Sequence, residues 1–286
     1  MPAYRAFSMT VRSELPLLLT KLSDTPDTPA VTVRRGTLDQ PGDGPGLDIE
    51  FEGVKTRMLN ESTVVVDPGQ RGTPMVSKVV LKQCLPTLLF ERGAAILHAS
   101  AVNVDGHGIA FAGPQAAGKS SLVTAMCQRG NRFLTDDVLA VVETEGTWRA
   151  IPSFPRTSLT PETRKALDFD GRLVASAYGT SFGPWFDVLG RFDAARVPLD
   201  VVYILEERNG VDSPKSRRID GRRAMKRLTR HSRRSRGLDL TDPLGRQFRQ
   251  CTDLCQSVPV KLLERPDGFE AMADVVDHIE EDVEAL

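Results

Sequence analysis

Cysteine is scarce: 286 residues hold four, at 84, 127, 251 and 255. That is too few for a disulfide-dense secreted scaffold and fits reduced thiols in a cytoplasmic protein. Cys251 and Cys255 stand at i,i+4 spacing, which suits either a shared metal or two thiols on one helix face. Long apolar runs are also missing. None reaches the roughly 18 residues needed to span a bilayer. The short Leu cluster near the N-terminus is broken by Pro16 and lacks the uninterrupted apolar core of a secretory signal. A cytoplasmic location with no membrane partner is therefore expected. An excess of either charge is absent too. The net charge is −1, so any attraction to nucleic acid would have to be local. With 40% hydrophobic and 26% charged residues the chain is not disordered throughout, and its length allows one large core, or a core with a smaller lobe.

Breakers concentrate between 22 and 47, in TPDTPA and QPGDGPG. Around them lie short β-like runs at 31–33, 47–51 and 62–67. Residues 1–75 read as a small β-rich N-terminal lobe, and 76–286 as a second, larger domain. Residues 76–92 carry apolar side chains at helical spacing, with Pro86 a break or kink. ILHASAV and GIAFAG flank Asp105-Gly106, which predicts a hairpin. A helix is predicted from 119 to 129, stopped by Gly130. The next strand reads RFLTDDVLAVV. VPLDVVYILEE at 197–207 and SVPVKLLE at 257–264 read as buried strands, and 268–285 as an amphipathic helix with Phe269, Met272, Val276, Ile279 and Val283 on one side. Residues 152–195, rich in Pro, Gly and Ser, carry no clear element.

Gly113-Pro114-Gln115-Ala116-Ala117-Gly118-Lys119-Ser120 matches G-x-x-x-x-G-K-[ST] at every fixed position. Glycine permits backbone angles that let several N–H groups face one anion, and the following helix turns its positive end to the same place. In that pattern Lys119 reaches the β- and γ-phosphates and Ser120 ligates Mg²⁺. ATP and Mg are the expected cofactors, with Gly113, Ala116, Ala117, Gly118, Lys119, Ser120 and Ser121 as nucleotide contacts. Asp136 and Asp137 end the strand after the helix, at the edge that lies beside a phosphate loop in a βαβ-like unit. One carboxylate there can hold Mg²⁺ and the other can take a proton from a hydroxyl. Adjacent residues on a strand point to opposite faces, which favours such a division. His98 lies on the strand paired with the one feeding the loop. It fits equally a satisfied core histidine and a catalytic one.

The run LHASAVNVDGHGIAFAGPQAAGKSSLVTAMCQRGNRFLTDDVLAVV, at 97–142, resembles the catalytic domain of HPr kinase/phosphorylase. Histidine strand, hairpin, glycine loop, helix and Asp-Asp strand follow in the family's order over about a sixth of the chain. The resemblance implies an α/β P-loop fold of the HPr kinase / phosphoenolpyruvate carboxykinase type, with phosphorylation of a serine on a small protein. It gives His98 the active-site histidine's place, Lys119 the phosphate lysine, Ser120 the Mg²⁺ hydroxyl, Asp136 the general base and Asp137 a place near the metal. Two family signatures are absent. AIPSFPRTSL stands where a Glu-bearing segment is expected, and no Pro-Gly-Arg-Asn loop follows SVPVKLL. The resemblance is thus to divergent HPr kinase-related proteins, some of which phosphorylate ribosomally made peptides such as lasso peptides.

Residues 215–236 hold eleven Lys or Arg and one acid, Asp220. A helix over 221–235 is expected to show positive charge on several faces. A nucleic-acid patch, a dock for an acidic peptide or clamp for nucleotide phosphates, and a solvated helix balanced by the acids of the C-terminal helix all fit. No aromatic residue interleaves the run, so nucleic acid is not the expected partner. The reading is an ATP- and Mg-dependent kinase acting on a hydroxyl of a peptide or small protein. Its rivals are a nucleotide-binding regulator with little turnover and a nucleic-acid-binding ATPase. Homo-oligomerisation is left open.

Overall fold

The computed structural model describes residues 1–24, 30–38, 46–176, 183–205, 211–232 and 242–285. The chain begins with six strands: β1 (Ala3–Ala6), β2 (Met9–Ser13), β3 (Val31–Arg35), β4 (Leu47–Phe51), β5 (Val54–Asn60) and β6 (Thr63–Asp67). They form one sheet in the order β1-β2-β3-β6-β5-β4. Alternation sets its buried face: Val31 and Val33, Val64 and Val66, and Val54 and Met58 are fully buried. A helical run packs on that face. It comprises α1 (Thr73–Val79), one wide turn at Val80–Cys84 and α2 (Leu85–Glu91). Pro86 does not break this run. Pro86 lacks an N–H, and in the turn before it the Leu85 N–H donates to the Val80 carbonyl, five residues back, instead of four. Val76, Val80, Leu81 and Leu88 share one core with Val33, Val64 and Met58, and also with Ile96, Val138, Phe154 and Trp185 further along the chain.

The second sheet uses β7 (Ala95–Leu97), β8 (Ala99–Val104), β9 (His107–Ala112), β10 (Arg132–Thr135), β11 (Leu139–Thr144) and β12 (Thr147–Ile151). The predicted hairpin is present, β8 pairing with β9 around Asp105-Gly106. Helix α3 (Lys119–Gln128) follows β9, as expected. The segment 152–195 holds β13 (Arg156–Thr157), α4 (Pro161–Ala166), β14 (Leu173–Ala175) and β15 (Trp185–Asp187), and the three strands form a small sheet of their own. Strand β16 (Val197–Leu205) runs parallel to β9 and completes the order β10-β8-β9-β16-β12-β11-β7. The remainder is β17 (Lys215–Arg218), α5 (Gly221–Arg230), α6 (Pro243–Ser257), β18 (Val260–Glu264) and α7 (Met272–Glu284). Strand β18 lies parallel to β16, and β17 pairs with β18. Helix α7 buries Met272, Val275, Val276, Ile279 and Val283 in the core of α3 and β16. No helix among the described residues is long and apolar enough to cross a membrane.

Two sequence expectations are corrected here. RFLTDDVLAVV is not one strand but two, β10 and β11, separated at Asp136–Val138. The segment ILHASAV likewise divides at His98 into β7 and β8. The two divisions face each other: β8 pairs with β10, β7 pairs with β11, and His98–Ser100 lies opposite Asp136–Val138 in the gap. Second, the charges of α5 occupy one face. Ala224 and Leu228 are buried on the other side, and Arg222, Arg223, Lys226 and Arg230 are exposed.

Candidate active site

The loop Gly113–Gly118 joins β9 to α3, an apolar strand leading into a helix N-terminus. Ala110 and Ala112 on β9 are fully buried, which anchors the loop's start. A Cβ on Gly113 would lie 3.0 Å from the Leu205 carbonyl oxygen of β16, so this position admits little beyond hydrogen. Gly118 has φ 79° and Ala116 φ 64°, both left-handed. These turns fold the chain back sharply before α3, leaving Pro114, Gln115 and Ala116 exposed at the crest. Such a loop can present N–H groups to an anion, supported by the dipole of a ten-residue helix.

Lys119 is the first residue of α3. Its ammonium donates to the carbonyls of Gly113, at 3.0 Å, and Pro114, at 2.8 Å. Burial holds its pKa below the usual lysine range, and Asp136 and Asp137 oppose that shift. Ser120 donates its hydroxyl to Asp136 Oδ1 at 2.6 Å. Ser121, expected among the nucleotide contacts, lies with its hydroxyl 3.3 Å from Thr163 Oγ1 of α4.

The two aspartates occupy different surroundings. Asp136 is 4% exposed and accepts four hydrogen bonds. Ser100 and Ser120 hydroxyls bond Oδ1 at 2.7 and 2.6 Å. The Thr157 hydroxyl and Ser158 N–H bond Oδ2 at 3.1 and 3.0 Å. Asp137 lies past the end of β10 with φ 74°, so strand alternation does not orient it. Its carboxylate pairs with Lys82 Nζ at 2.9 Å and His98 Nδ1 at 3.0 Å. The side chains of Asp137 and His98 are 29% and 33% exposed, enough for a substrate to reach them.

Sequence reasoning brought together His98, Lys119, Ser120, Asp136 and Asp137, and the structure gathers these five. It adds residues that reasoning missed. Lys82 comes from the wide helical turn and is buried, a position that residue type alone does not signal. Ser100, Thr157 and Ser158 hold Asp136. Arg265, just after β18, donates to the Ala117 carbonyl at 3.0 Å and reaches over Gly118. His231, at the end of α5, accepts on its carbonyl a 2.6 Å bond from the His98 N–H. Its imidazole pKa is lowered to about 4, chiefly by burial and then by neighbouring Lys119, Arg230, His98 and Arg227. His107 is exposed and its Nδ1 lies 3.2 Å from Asp200 Oδ2. Cys251 and Cys255 lie on α6 with thiol pKa values raised by burial, Cys255 to about 12. Among the described residues no group of three or more His, Cys, Asp or Glu is placed to hold a metal.

No family model matches the chain. Over 114 residues it is 30% identical to the HPr kinase/phosphorylase of Clostridium botulinum (strain Alaska E43 / Type E3), a match covering 40% of this chain. The chain spans about a third of that relative's length, 35%. Among solved structures, the Hpr(Ser) kinase/phosphatase from Coxiella burnetii is similar with a TM-score of 0.34 and 14% identity, covering 66% of this chain and 98% of that one. The chain is a mixed α/β protein related to HPr kinase/phosphorylase through part of its sequence.

Proposed function

We propose that this chain is an ATP- and Mg-dependent kinase that transfers the γ-phosphoryl group to a hydroxyl, a serine of a peptide or small protein, on a P-loop domain of the HPr kinase / phosphoenolpyruvate carboxykinase type. One observation carries the reading. The glycine loop, with Lys119 and Ser120 at its end, stands beside two carboxylates in unlike environments, one buried and saturated, the other reachable and flanked by Lys82 and His98.

The residues fit Mg²⁺ and nucleotide phosphates. Ser120 and Asp136 form the hydroxyl–carboxylate pair that such a site uses. A cation that keeps waters and takes phosphate oxygens as ligands needs no more than such a pair from the protein. Bound Mg²⁺ would neutralise charge on the phosphates. Gly113, Ala116, Ala117 and Gly118 would supply backbone contacts. Lys119, now satisfied by two loop carbonyls, would exchange them for phosphate oxygens, and Arg265 would add positive charge over the loop.

The geometry favours exchanging the roles expected for the aspartates. Asp136 orients Ser120 on the metal side, because its four bonds leave it no room to approach an acceptor hydroxyl. Asp137 is the better general base. His98 and Lys82 hold its carboxylate in place, and its exposure admits a substrate. Positioning and electrostatics then supply most of the acceleration.

The missing Glu-bearing signature supports a second reading, a nucleotide-binding regulator with little turnover. Incubation with γ-labelled ATP, Mg²⁺ and serine-containing peptides separates the two. Label on serine is the kinase result, and nucleotide binding without transfer or hydrolysis is the regulator's. Hydrolysis stimulated by DNA or RNA would instead support a nucleic-acid-dependent ATPase.

A further inference from the structure

From the exposed face of α5 we infer a docking surface for an acidic stretch of the polypeptide that is phosphorylated; the inference rests on the kinase reading and names the substrate's chemistry.

The placement of charge on α5 comes first. At 3.6 residues per turn, Arg222, Lys226, Arg230, Arg223 and Arg227 fall within an arc of about 140°, opposite the buried Ala224 and Leu228. Arg222, Lys226 and Arg230 are spaced i, i+4, i+8, a line of like charges about 12 Å long. Like charges at that spacing weaken a helix, and Arg222 and Arg223 sit in the first turn, where the helix dipole already disfavours cations. No acid occupies that turn, and Asp220, at the N-cap, pairs with Arg218. The arrangement therefore does not serve the helix's own stability.

Among the described residues, no acid of α7 pairs with Arg222, Arg223, Lys226 or Arg230, so the C-terminal helix does not balance this face. Three of the six acids of α7 are engaged by other groups. Asp282 accepts bonds from Tyr203, Ser216 and Lys261. Asp277 pairs with Arg129, and Glu280 binds Arg129 and Asn131. Among the described residues, Arg222, Arg223, Lys226 and Arg230 form no ion pair or side-chain hydrogen bond.

The stripe leads toward the site. The last turn of α5 ends at His231, whose carbonyl holds the His98 backbone and whose imidazole senses Lys119. Ser232 continues in a β-bridge to Leu97. A partner lying along the stripe is thus guided toward the gap that holds His98 and Asp137. An extended chain advances about 3.3 Å per residue, so the stripe matches about four residues. An acidic run laid along the stripe would bring carboxylates to Arg222, Arg223, Lys226 and Arg230, which form no ion pair among the described residues. Nucleic acid would also meet the charge, but the face offers no aromatic platform for bases.

The test uses the full chain and three fluorescent probes: a serine peptide carrying four Glu, the same peptide with Gln for Glu, and an oligonucleotide of matched length. Anisotropy should show the Glu peptide binding roughly tenfold or more tighter than the Gln peptide, with affinity falling as salt rises. The variant Arg222→Gln, Arg223→Gln, Lys226→Gln, Arg230→Gln should erase that preference while nucleotide affinity stays unchanged and the thermal midpoint holds or rises. Its KM for transfer to the Glu peptide should rise with kcat preserved. The reversal Arg222→Glu, Lys226→Glu should switch the preference to a Lys-bearing peptide. Equal binding of Glu and Gln peptides, an unaltered preference in the fourfold variant, or an oligonucleotide that outcompetes the Glu peptide would each overturn the inference. Peptide binding is read without catalysis. If the stripe selects the Glu peptide but no serine is ever labelled, the kinase reading falls and the acidic dock stands.

Discussion

The Asp136 carboxylate accepts bonds from Ser100, Ser120, Thr157 and Ser158, all while almost wholly buried. An amide in its place must turn an NH₂ toward donors on one side, whichever way it flips. Asp136→Asn should therefore lower stability by about 1–3 kcal/mol, read as a shift in the denaturant midpoint, and weaken Mg²⁺ dependence through a loosened Ser120. Asp137 is the contrasting case. Asp137→Asn keeps its shape but cannot accept a proton, so single-turnover transfer should fall by ~10²–10⁴-fold with nucleotide affinity nearly unchanged. A Mg²⁺ titration of both mutants decides the assignment. If Asp136→Asn loses transfer at saturating Mg²⁺ while Asp137→Asn is rescued by it, the base is Asp136 after all. Lys119→Ala tests the loop itself. It frees the Gly113 and Pro114 carbonyls at a partly open site, so the fold should persist while nucleotide-dependent activity is mostly lost; unchanged calorimetry and turnover would defeat the P-loop reading.

At the level of elements, legibility followed range. The glycine loop, its helix and the Asp-Gly hairpin depend on residues within a turn or two of each other, and the sequence carries them openly. The gap between the β7–β11 and β8–β10 pairings depends on strands some 36 residues apart breaking at the same height, as the Ser100–Asp136 separation shows. No local pattern encodes that, so Asp136 and Asp137 were given strand alternation that Asp137 does not have. The pieces β13, β14 and β15 are two or three residues long and exist through mutual pairing, which is why 152–195 resisted assignment. The one-sidedness of α5 was available from helical arithmetic, and only its contact with His98 needed the structure. The His231 imidazole, through its burial, carries a pH dependence. His231 has a folded pKa of about 4 against 6.5 for the free imidazole, so the unfolded chain binds its proton first as pH falls. The contribution is fully present above pH 6.5 and is lost progressively as pH drops toward 4. His231→Gln should thus flatten the acid side of the stability curve relative to the original protein, measured by denaturant unfolding at pH 7, 6, 5 and 4. A parallel loss in both proteins would show that His231 titrates normally.

Across the whole molecule, a chain of rings ties the N-terminal sheet to Lys82 and Asp137. Phe7, in the β1–β2 turn at φ 51° and fully buried, donates its N–H to the Ser153 carbonyl at 2.7 Å and meets Phe154 edge-on, with centroids 5.9 Å apart. Phe154 lies 5.5 Å from Trp185. The Trp185 ring carries the ammonium groups of Lys78 and Lys82 at 5.4 and 5.9 Å, and Lys82 holds Asp137. Lys78 bonds the carbonyls of Ser176 and Gly183, and burial lowers its pKa to about 8, so the ring stack also fixes a buried cation. A sheet with no residue in the gap between His98 and Asp137 can therefore still set where Lys82 stands. Phe7→Ala should cost about 3–5 kcal/mol, because a buried ring is lost and its cavity cannot fully close. The consequence for catalysis follows from the contacts. With Phe154 released, Trp185 and Lys82 gain freedom, and Asp137 loses part of its constraint. Transfer by the folded fraction should then fall while nucleotide affinity, set at the glycine loop, stays the same. Trp185 fluorescence in a Trp148→Phe background reports the ring's environment directly and should shift with the mutation. If stability drops but Trp185 emission and the transfer rate of the folded protein hold at their original values, the N-terminal sheet only stabilises the site and does not position it.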